Sequence, residues 1–318
     1  MTDSIDDLLA LEEGGRTLDK KSLYQKSGVG GQYASAGAIR AVEEEMGEGQ
    51  VRERFGFIPK SLLRFDKNRE MLNAVGDNSK ARGLLRGQGY ANNLRFSMYN
   101  VDAAKFFLDY YLPPRARVLD PFMGRFTRAL SSHLLDMTYV GFDTCAETVE
   151  LNRESLLRHF NLPDLPEGWE LNHGDGVALA PYADHESVFD GVFTCPPYYS
   201  TEQYSGEAGD LSHMKESEFN AQIAILLKNL YRLVKPSGKL RPDIHPVVVT
   251  VGTFRQGERG LLDMDYLFQR CAYDAGFVLH DKVVTENLPP GAGFTFRRNF
   301  GLGFVCKAHE TTLVFLKR

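Results

Sequence analysis

Two short runs in this chain combine residue types and spacing suited to chemistry on a bound ligand. The first is VLDPFMGRFTRAL, Val118 to Leu130. Its apolar start predicts a buried strand, Asp120 and Pro121 close that strand, Gly124 lets backbone approach a ligand, and a helix begins at Thr127. Open α/β sheets hold ligands at such turns, at the carboxyl ends of parallel strands and beside the unpaired N–H groups of a helix amino-terminus. The second run, FDGVFTCPPYYS from Phe189 to Ser200, is another short apolar strand and ends in Cys195, Pro196, Pro197 and Tyr198. Consecutive prolines cannot donate ladder hydrogen bonds, so the strand stops and a rigid turn projects the Tyr198 ring from the sheet edge. Taken singly, each run also reads as ordinary architecture: a structural strand-to-helix turn, and a strand terminator with a packed tyrosine.

Together the two motifs resemble the class I S-adenosylmethionine-dependent methyltransferases, and specifically the DNA amino-methyltransferases that form N6-methyladenine or N4-methylcytosine. The resemblance implies that the turn carrying Asp120, Pro121, Phe122, Gly124 and Thr127 lies under the cofactor, and that the PPY loop holds the target base. Cys195 to Ser212 is similar to the extended PPY region of phage and prophage DNA modification methylases. Lys307 to Lys317 is similar to their final His-Glu strand, and Arg54 to Met71 to their amino-terminal segment. A phage or prophage origin and a place in restriction and modification follow as implications. Two departures stand out. Phe126 occupies the family's usual second glycine, where its ring either narrows the pocket or points into the core. Cys195 stands where the family commonly has Asp, Asn or Ser.

S-adenosylmethionine makes three demands that successive strand ends can meet. Asp120 through Gly124 offer backbone room for the methionine part. Asp143, ending YVGFD, is placed to accept from the ribose hydroxyls, and Asp175, in NHGDG, to meet the adenine amino group. Both acids also read as loop caps. Upstream, FSMYN resembles the element that closes over the methionine end, with Phe96 in it and Ser97 and Asn100 as candidates for the carboxylate; Ser and Asn before a helix are equally ordinary caps. A base inside a duplex must be flipped out to reach the donor, and Tyr198 suits stacking against it. The exocyclic amine is a poor nucleophile, so a side-chain oxygen of the turn and the Pro196 carbonyl would bind its protons as nitrogen attacks the methyl. A thiol accepts hydrogen bonds weakly, which leaves two roles for Cys195. It is a tolerated wall of the base pocket, with cytosine N4 slightly preferred over adenine N6, or it is a nucleophile toward C6 of a pyrimidine in C5 methylation.

The elements that would position these groups alternate. The periodicity predicts helix Val101–Tyr111, strand Arg117–Leu119, helix Thr127–Leu135, strand Tyr139–Phe142, helix Ala146–His159, strand Glu170–His173 and strand Gly191–Thr194. Helix Glu218–Leu233, strand Val247–Val251, helix Leu261–Ala275, strand Phe277–Val284 and strand Thr311–Leu316 follow. The expected fold is α/β with a mainly parallel sheet, and the resemblance implies a Rossmann-like sheet of seven strands, the last antiparallel. Residues 1–50 read as an acidic flexible tail with one short helix possible over Ala36–Met46, residues 51–95 as a basic extension, and residues 96–318 as the methyltransferase domain.

The 318 residues carry a net charge of −5, which by itself disfavours a polyanionic partner. The charge is uneven, however. Residues 51–95 hold ten Lys/Arg against four Asp/Glu, interleaved with glycines and aromatics, a mixture suited to phosphate contact and base stacking. Arg52, Arg54, Arg64 and Arg69 are the candidates there, and Arg297, Arg298 and Lys307 form a second candidate group near the carboxyl end. The ordinary alternative is a solvated face. His309, just beyond, reads as structural. DNA is thus the expected partner, with a separate specificity subunit or a homodimer as further expectations, because many relatives in the resembled family place a recognition domain after the last strand whereas this chain stops at Arg318. No run of eighteen apolar residues spans a bilayer, the acidic start is not a signal peptide, and cytoplasmic location is the expectation. Cys145, Cys195, Cys271 and Cys306 lack CxxC spacing, so free thiols and no metal are expected. Alternatives to DNA amino-methylation are an RNA guanine-N2-type methyltransferase and a catalytically silent DNA-binding partner subunit.

Overall fold

Asn100 and the pair Pro113-Pro114 bracket the first long helix, α1 (Val101–Tyr111). The Asn100 side-chain oxygen accepts from the Ala103 N–H at 3.1 Å, and the prolines forbid continuation. The computed structural model describes residues 54, 59–65, 99–198, 209–239, 243–255, 260–286, 303, 305 and 308–318. The chain divides into units Met1–Ile58 and Pro59–Arg318, and every strand described below lies in the second.

The strands are β1 (Leu62–Arg64), β2 (Arg117–Asp120), β3 (Thr138–Asp143), β4 (Glu170–His173), β5 (Gly191–Thr194), β6 (Pro246–Val251), β7 (Phe254–Arg255), β8 (Leu261–Leu262), β9 (Val278–Glu286) and β10 (His309–Leu316). Eight of them form one sheet in the order β1-β9-β10-β6-β5-β2-β3-β4. β10 inserts antiparallel between β6 and β9, with Leu313 opposite Val249 and Lys282, while β2, β3, β4, β5 and β6 run parallel. Seven strands were expected, and the eighth is β1, which pairs parallel to β9 from within the stretch read as a separate basic extension. Three residues with an exposed-buried-exposed pattern leave only Leu63 as a core signal, too little for a periodicity argument.

The other helices are α2 (Thr127–Leu134), α3 (Ala146–Phe160), α4 (Glu216–Leu233) and α5 (Met264–Ala275). β6, PVVVTV, is buried along its whole length, as a strand covered on both faces should be. Period-two alternation sorts β3. Val140 and Phe142 join Phe219, Ile223, Leu226, Leu230 and Phe268 of α4 and α5, whereas Tyr139 joins Phe126, Leu130 and Leu156 of the α2–α3 side. α5 begins three residues later than expected. Asp263 accepts from the Tyr266 N–H at 3.2 Å as its cap, and Leu261–Leu262 pairs instead with β7. Gly276 closes α5 at φ 102°, a left-handed cap suited to glycine.

Candidate functional site

The parallel strands bring the two sequence motifs to one edge. β2 ends at Asp120 and its neighbour β5 ends at Thr194, with Leu119 opposite Val192 in register. The Asp120 carboxylate joins them. Completely buried, it accepts from Arg128 Nε at 2.6 Å, the Tyr139 hydroxyl at 2.7 Å, Thr194 Oγ1 at 2.8 Å and the Phe122 N–H at 3.2 Å. A buried carboxylate without such partners would be prohibitively costly, and these four donors offset its loss of water. Arg128 in turn donates to the Phe122 carbonyl and lies 5.7 Å from the centre of the Tyr99 ring. Burial alone would lower the Arg128 pKa, but the facing Asp120 carboxylate reverses this and holds it above the usual arginine value. The side chain of Asp120 therefore ties the turn, through the Phe122 N–H, to the PPY strand, through Thr194.

The turn itself is stitched to β3 and α3. Met123 N–H donates to the Phe142 carbonyl at 2.8 Å. Gly124 sits at φ 49°, donates its N–H to Asp143 Oδ2 at 3.1 Å, and accepts from Asn152 Nδ2 at 2.6 Å. A side chain added at Gly124 would meet nothing nearer than the Phe122 carbonyl at 4.0 Å, so the turn borders open space. Pro121 is buried and Phe122 partly so; Thr127 is buried, and its Oγ1 has no hydrogen-bond partner among the described residues. Phe126 resolves one open point. It is 1% exposed and packs with Val101, Met123, Leu130 and Trp169, so it fills the core and does not narrow a pocket.

Asp143 ends β3 with Oδ1 accepting from the Cys145 N–H at 2.8 Å. Burial pushes its pKa up to about 6, against the pull of those two backbone donors, with Asp120 and Asp210 adding repulsion. Asp175 follows β4 and caps its own loop by accepting from Val177 N–H at 2.8 Å. The next residue, Gly176, lies so close to the first motif that a Cβ there would stand 1.8 Å from the Pro121 carbonyl oxygen. Gly209, in the continuation of the PPY segment, faces Asp175, where a Cβ would be 3.5 Å from the carboxyl carbon. Asp210 is buried and bonds Ser212 through its backbone and hydroxyl, at 2.9 and 2.7 Å. Asp120, Asp143, Asp175 and Asp210 are thus gathered at one sheet edge.

In the second motif Pro196 is buried, while Cys195, Pro197 and Tyr198 are partly exposed. The Tyr198 hydroxyl donates to Glu310 Oε1 at 3.1 Å. A chain of hydroxyls runs from Tyr99 to Thr250 at 2.9 Å and on to Thr312 at 2.8 Å, and burial raises the Tyr99 pKa. Tyr99 packs edge-on against Phe193 of β5, 5.5 Å between ring centres.

Asn100, expected at the cofactor's carboxylate, has its side-chain oxygen engaged as the α1 cap. Phe96 and Ser97 lie outside the described residues, as do Arg52, Arg69, Arg297, Arg298, Lys307, Cys306 and the helix considered at Ala36–Met46. Arg54 is exposed. Arg64, on β1, is exposed and 4.0 Å from Glu286, a surface pair of little energetic consequence. Cys145, Cys195 and Cys271 form no disulfide among the described residues. No helix among the described residues is long and apolar enough to cross a membrane. Sequence reasoning missed Arg128, Tyr139, Asn152, Tyr99 and Glu310. Arg128, Tyr139, Tyr99 and Glu310 lie inside the segments quoted above but carried no assigned role there, and Asn152 stands as a polar residue in the buried stripe Thr148, Asn152, Ser155 and Leu156 of α3.

The strand order and the antiparallel β10 define an α/β sheet of the class I methyltransferase type. No protein-family model matches this chain, and no curated protein matches it. Among solved structures it is similar to TrmN from Thermus thermophilus, at 19% identity and TM-score 0.46 over 69% of this chain; the match spans 49% of that protein. It is also similar to the 4+2 cyclase SpnF, at 14% identity and TM-score 0.47 over 82% of this chain and 98% of that one. A candidate DNA modification methylase, also from Thermus thermophilus, is similar at 20% identity and TM-score 0.32, over 45% of this chain and 50% of the other.

Proposed function

We propose that this chain is an S-adenosylmethionine-dependent DNA methyltransferase acting on the exocyclic amine of a flipped base, cytosine N4 in preference to adenine N6. The observation that carries the reading is the Asp120 carboxylate, which joins the glycine turn to the Thr194–Tyr198 segment, so that a cofactor place and a target place share one buried anchor. The chain fits the cofactor: Gly124 leaves its turn open, Asp143 holds a mostly buried acceptor at the adjoining strand end, and Asp175 follows at the next. Bound there, S-adenosylmethionine supplies an electrophilic methyl group on a sulfonium.

The chain's own part in the reaction is alignment and proton handling. Tyr198 offers a face on which an extruded base stacks, and the Pro196 carbonyl accepts from the exocyclic amine as its nitrogen turns tetrahedral. Fixed dipoles of this kind need no reorganisation at the moment of reaction, and proximity supplies much of the remaining acceleration. Arg128 is a cation within electrostatic reach of Cys195, but its charge is already neutralised by Asp120 at 2.6 Å. That favours the thiol as a pocket wall over the thiolate that carbon methylation requires. Basic residues in 51–95 and Arg297, Arg298 and Lys307 are proposed to contact phosphates, with a partner subunit or second copy completing target recognition.

Incubating the full chain with methyl-labelled S-adenosylmethionine and separate pools of duplex DNA and total RNA tests the reading. Label is expected in DNA. Label confined to RNA would transfer the assignment to the guanine-N2 class, and cofactor binding with no transfer to either would make the chain a silent subunit.

A further inference from the structure

We infer that Glu310 is a positioning residue for Tyr198, an inference that rests on the target-base role proposed above. Pro196 and Pro197 fix the backbone leading into Tyr198, but they leave the ring free to turn about its own side-chain torsions. The opposite end of the ring is held from 112 residues away, where the hydroxyl donates to Glu310 Oε1 at 3.1 Å. A ring pinned at both its Cα and its hydroxyl keeps one orientation, which is what a stacking platform needs to hold a base in line with a methyl donor.

Glu310 is well placed to act as the fixed end. It is the second residue of β10, opposite Thr285 of β9, and is partly buried. Two residues on, and therefore on the same face of the strand, Thr312 anchors the hydroxyl chain through Thr250 to Tyr99. Tyr99 feels the charge of both Glu310 and Cys195, so the carboxylate lies in the electrostatic neighbourhood of the PPY loop. β10 thus meets the loop directly through Glu310, and through the chain from Thr312 it holds Tyr99, which packs on Phe193 of the strand leading into the loop. A hydrogen bond to a carboxylate is stronger than one between neutral groups, which suits a tether that must survive the arrival of a base.

The test uses the full-length protein labelled with 3-fluorotyrosine, in which the Tyr198 fluorine resonance is identified by its disappearance in Tyr198→Phe. Glu310→Ala is expected to shift and broaden that resonance, and Glu310→Gln, which keeps an acceptor, to leave it close to the parent's. On genomic duplex DNA, Glu310→Ala and Tyr198→Phe should each lower kcat by about tenfold to a hundredfold, the range of one lost charge-assisted hydrogen bond. The cofactor KM should stay unchanged, the double variant should be no worse than either single one, and Glu310→Gln should recover most of the rate. Three results would overturn the inference: an unmoved resonance in Glu310→Ala, additive losses in the double variant, or Glu310→Gln as damaging as Glu310→Ala. Absence of transfer by the parent protein would instead refute the DNA reading, while the resonance would still decide the tether.

Discussion

Replacing Asp143 by Asn separates the cost of the buried acid from its use. In the folded chain its pKa is pushed from 3.8 up to about 6 by burial. Because the folded state then holds the proton more tightly than the unfolded state, stability falls as pH rises from about 4 to about 6 and is flat above that. A rise of that size corresponds to a penalty of about 3 kcal/mol at pH 8, and about half of that at pH 5. Asn carries no such penalty but has one oxygen to meet two donors, Gly124 N–H and Cys145 N–H, so one bond worth ~1–3 kcal/mol is left unmade at every pH. The absolute stabilities of parent and variant should therefore be similar near neutrality. Their difference should change with pH, moving in favour of Asn by about 1–2 kcal/mol between pH 5 and pH 8. Urea denaturation across that range measures it. Cofactor affinity should move the opposite way: product-analogue calorimetry on the parent should weaken about tenfold per unit below pH 6, whereas Asp143→Asn should bind weakly with no such dependence. Parallel stability curves for the two proteins would refute the buried-acid reasoning, and undiminished binding by the variant would refute the ribose role.

Asp120→Ala should destabilise the fold by about 3–5 kcal/mol in chemical denaturation, because it strands Arg128 inside the protein without its partner. Gly176→Ala should cost about 3 kcal/mol or more and abolish cofactor binding by calorimetry, since the new methyl collides with the Pro121 carbonyl. Phe126→Ala should cost about 3–5 kcal/mol in thermal or urea unfolding and bring no gain in cofactor affinity, as its ring belongs to the core. Cys195→Ser should keep or raise methyl transfer to DNA, measured with labelled cofactor, because a hydroxyl is the better hydrogen-bond acceptor.

The elements were legible where periodicity and punctuation agreed. Helix Val101–Tyr111 and strands Glu170–His173 and Gly191–Thr194 fall where the pattern puts them, because Asn100, Pro113 and the Cys-Pro-Pro turn leave few other boundaries. Asp263 shows the converse. It interrupts an apolar run with a cap, but the run Leu261–Ala275 reads as continuous unless the cap is weighed. At the site, the turn and the loop could be found locally. The partners of Asp120 could not, since Tyr139 and Thr194 lie on other strands and meet it only when parallel pairing sets their register. Glu310 was hidden for the same reason, being brought to Tyr198 by the antiparallel insertion of β10.

Nucleoside mass spectrometry of duplex DNA treated with the protein and isotopically labelled S-adenosylmethionine tests the central claim most directly, because it reports transfer and the modified atom together. The account predicts labelled N4-methylcytosine, or N6-methyladenine if the pocket takes the purine. Labelled 5-methylcytosine, or unmodified DNA from a protein that binds the cofactor, would contradict it.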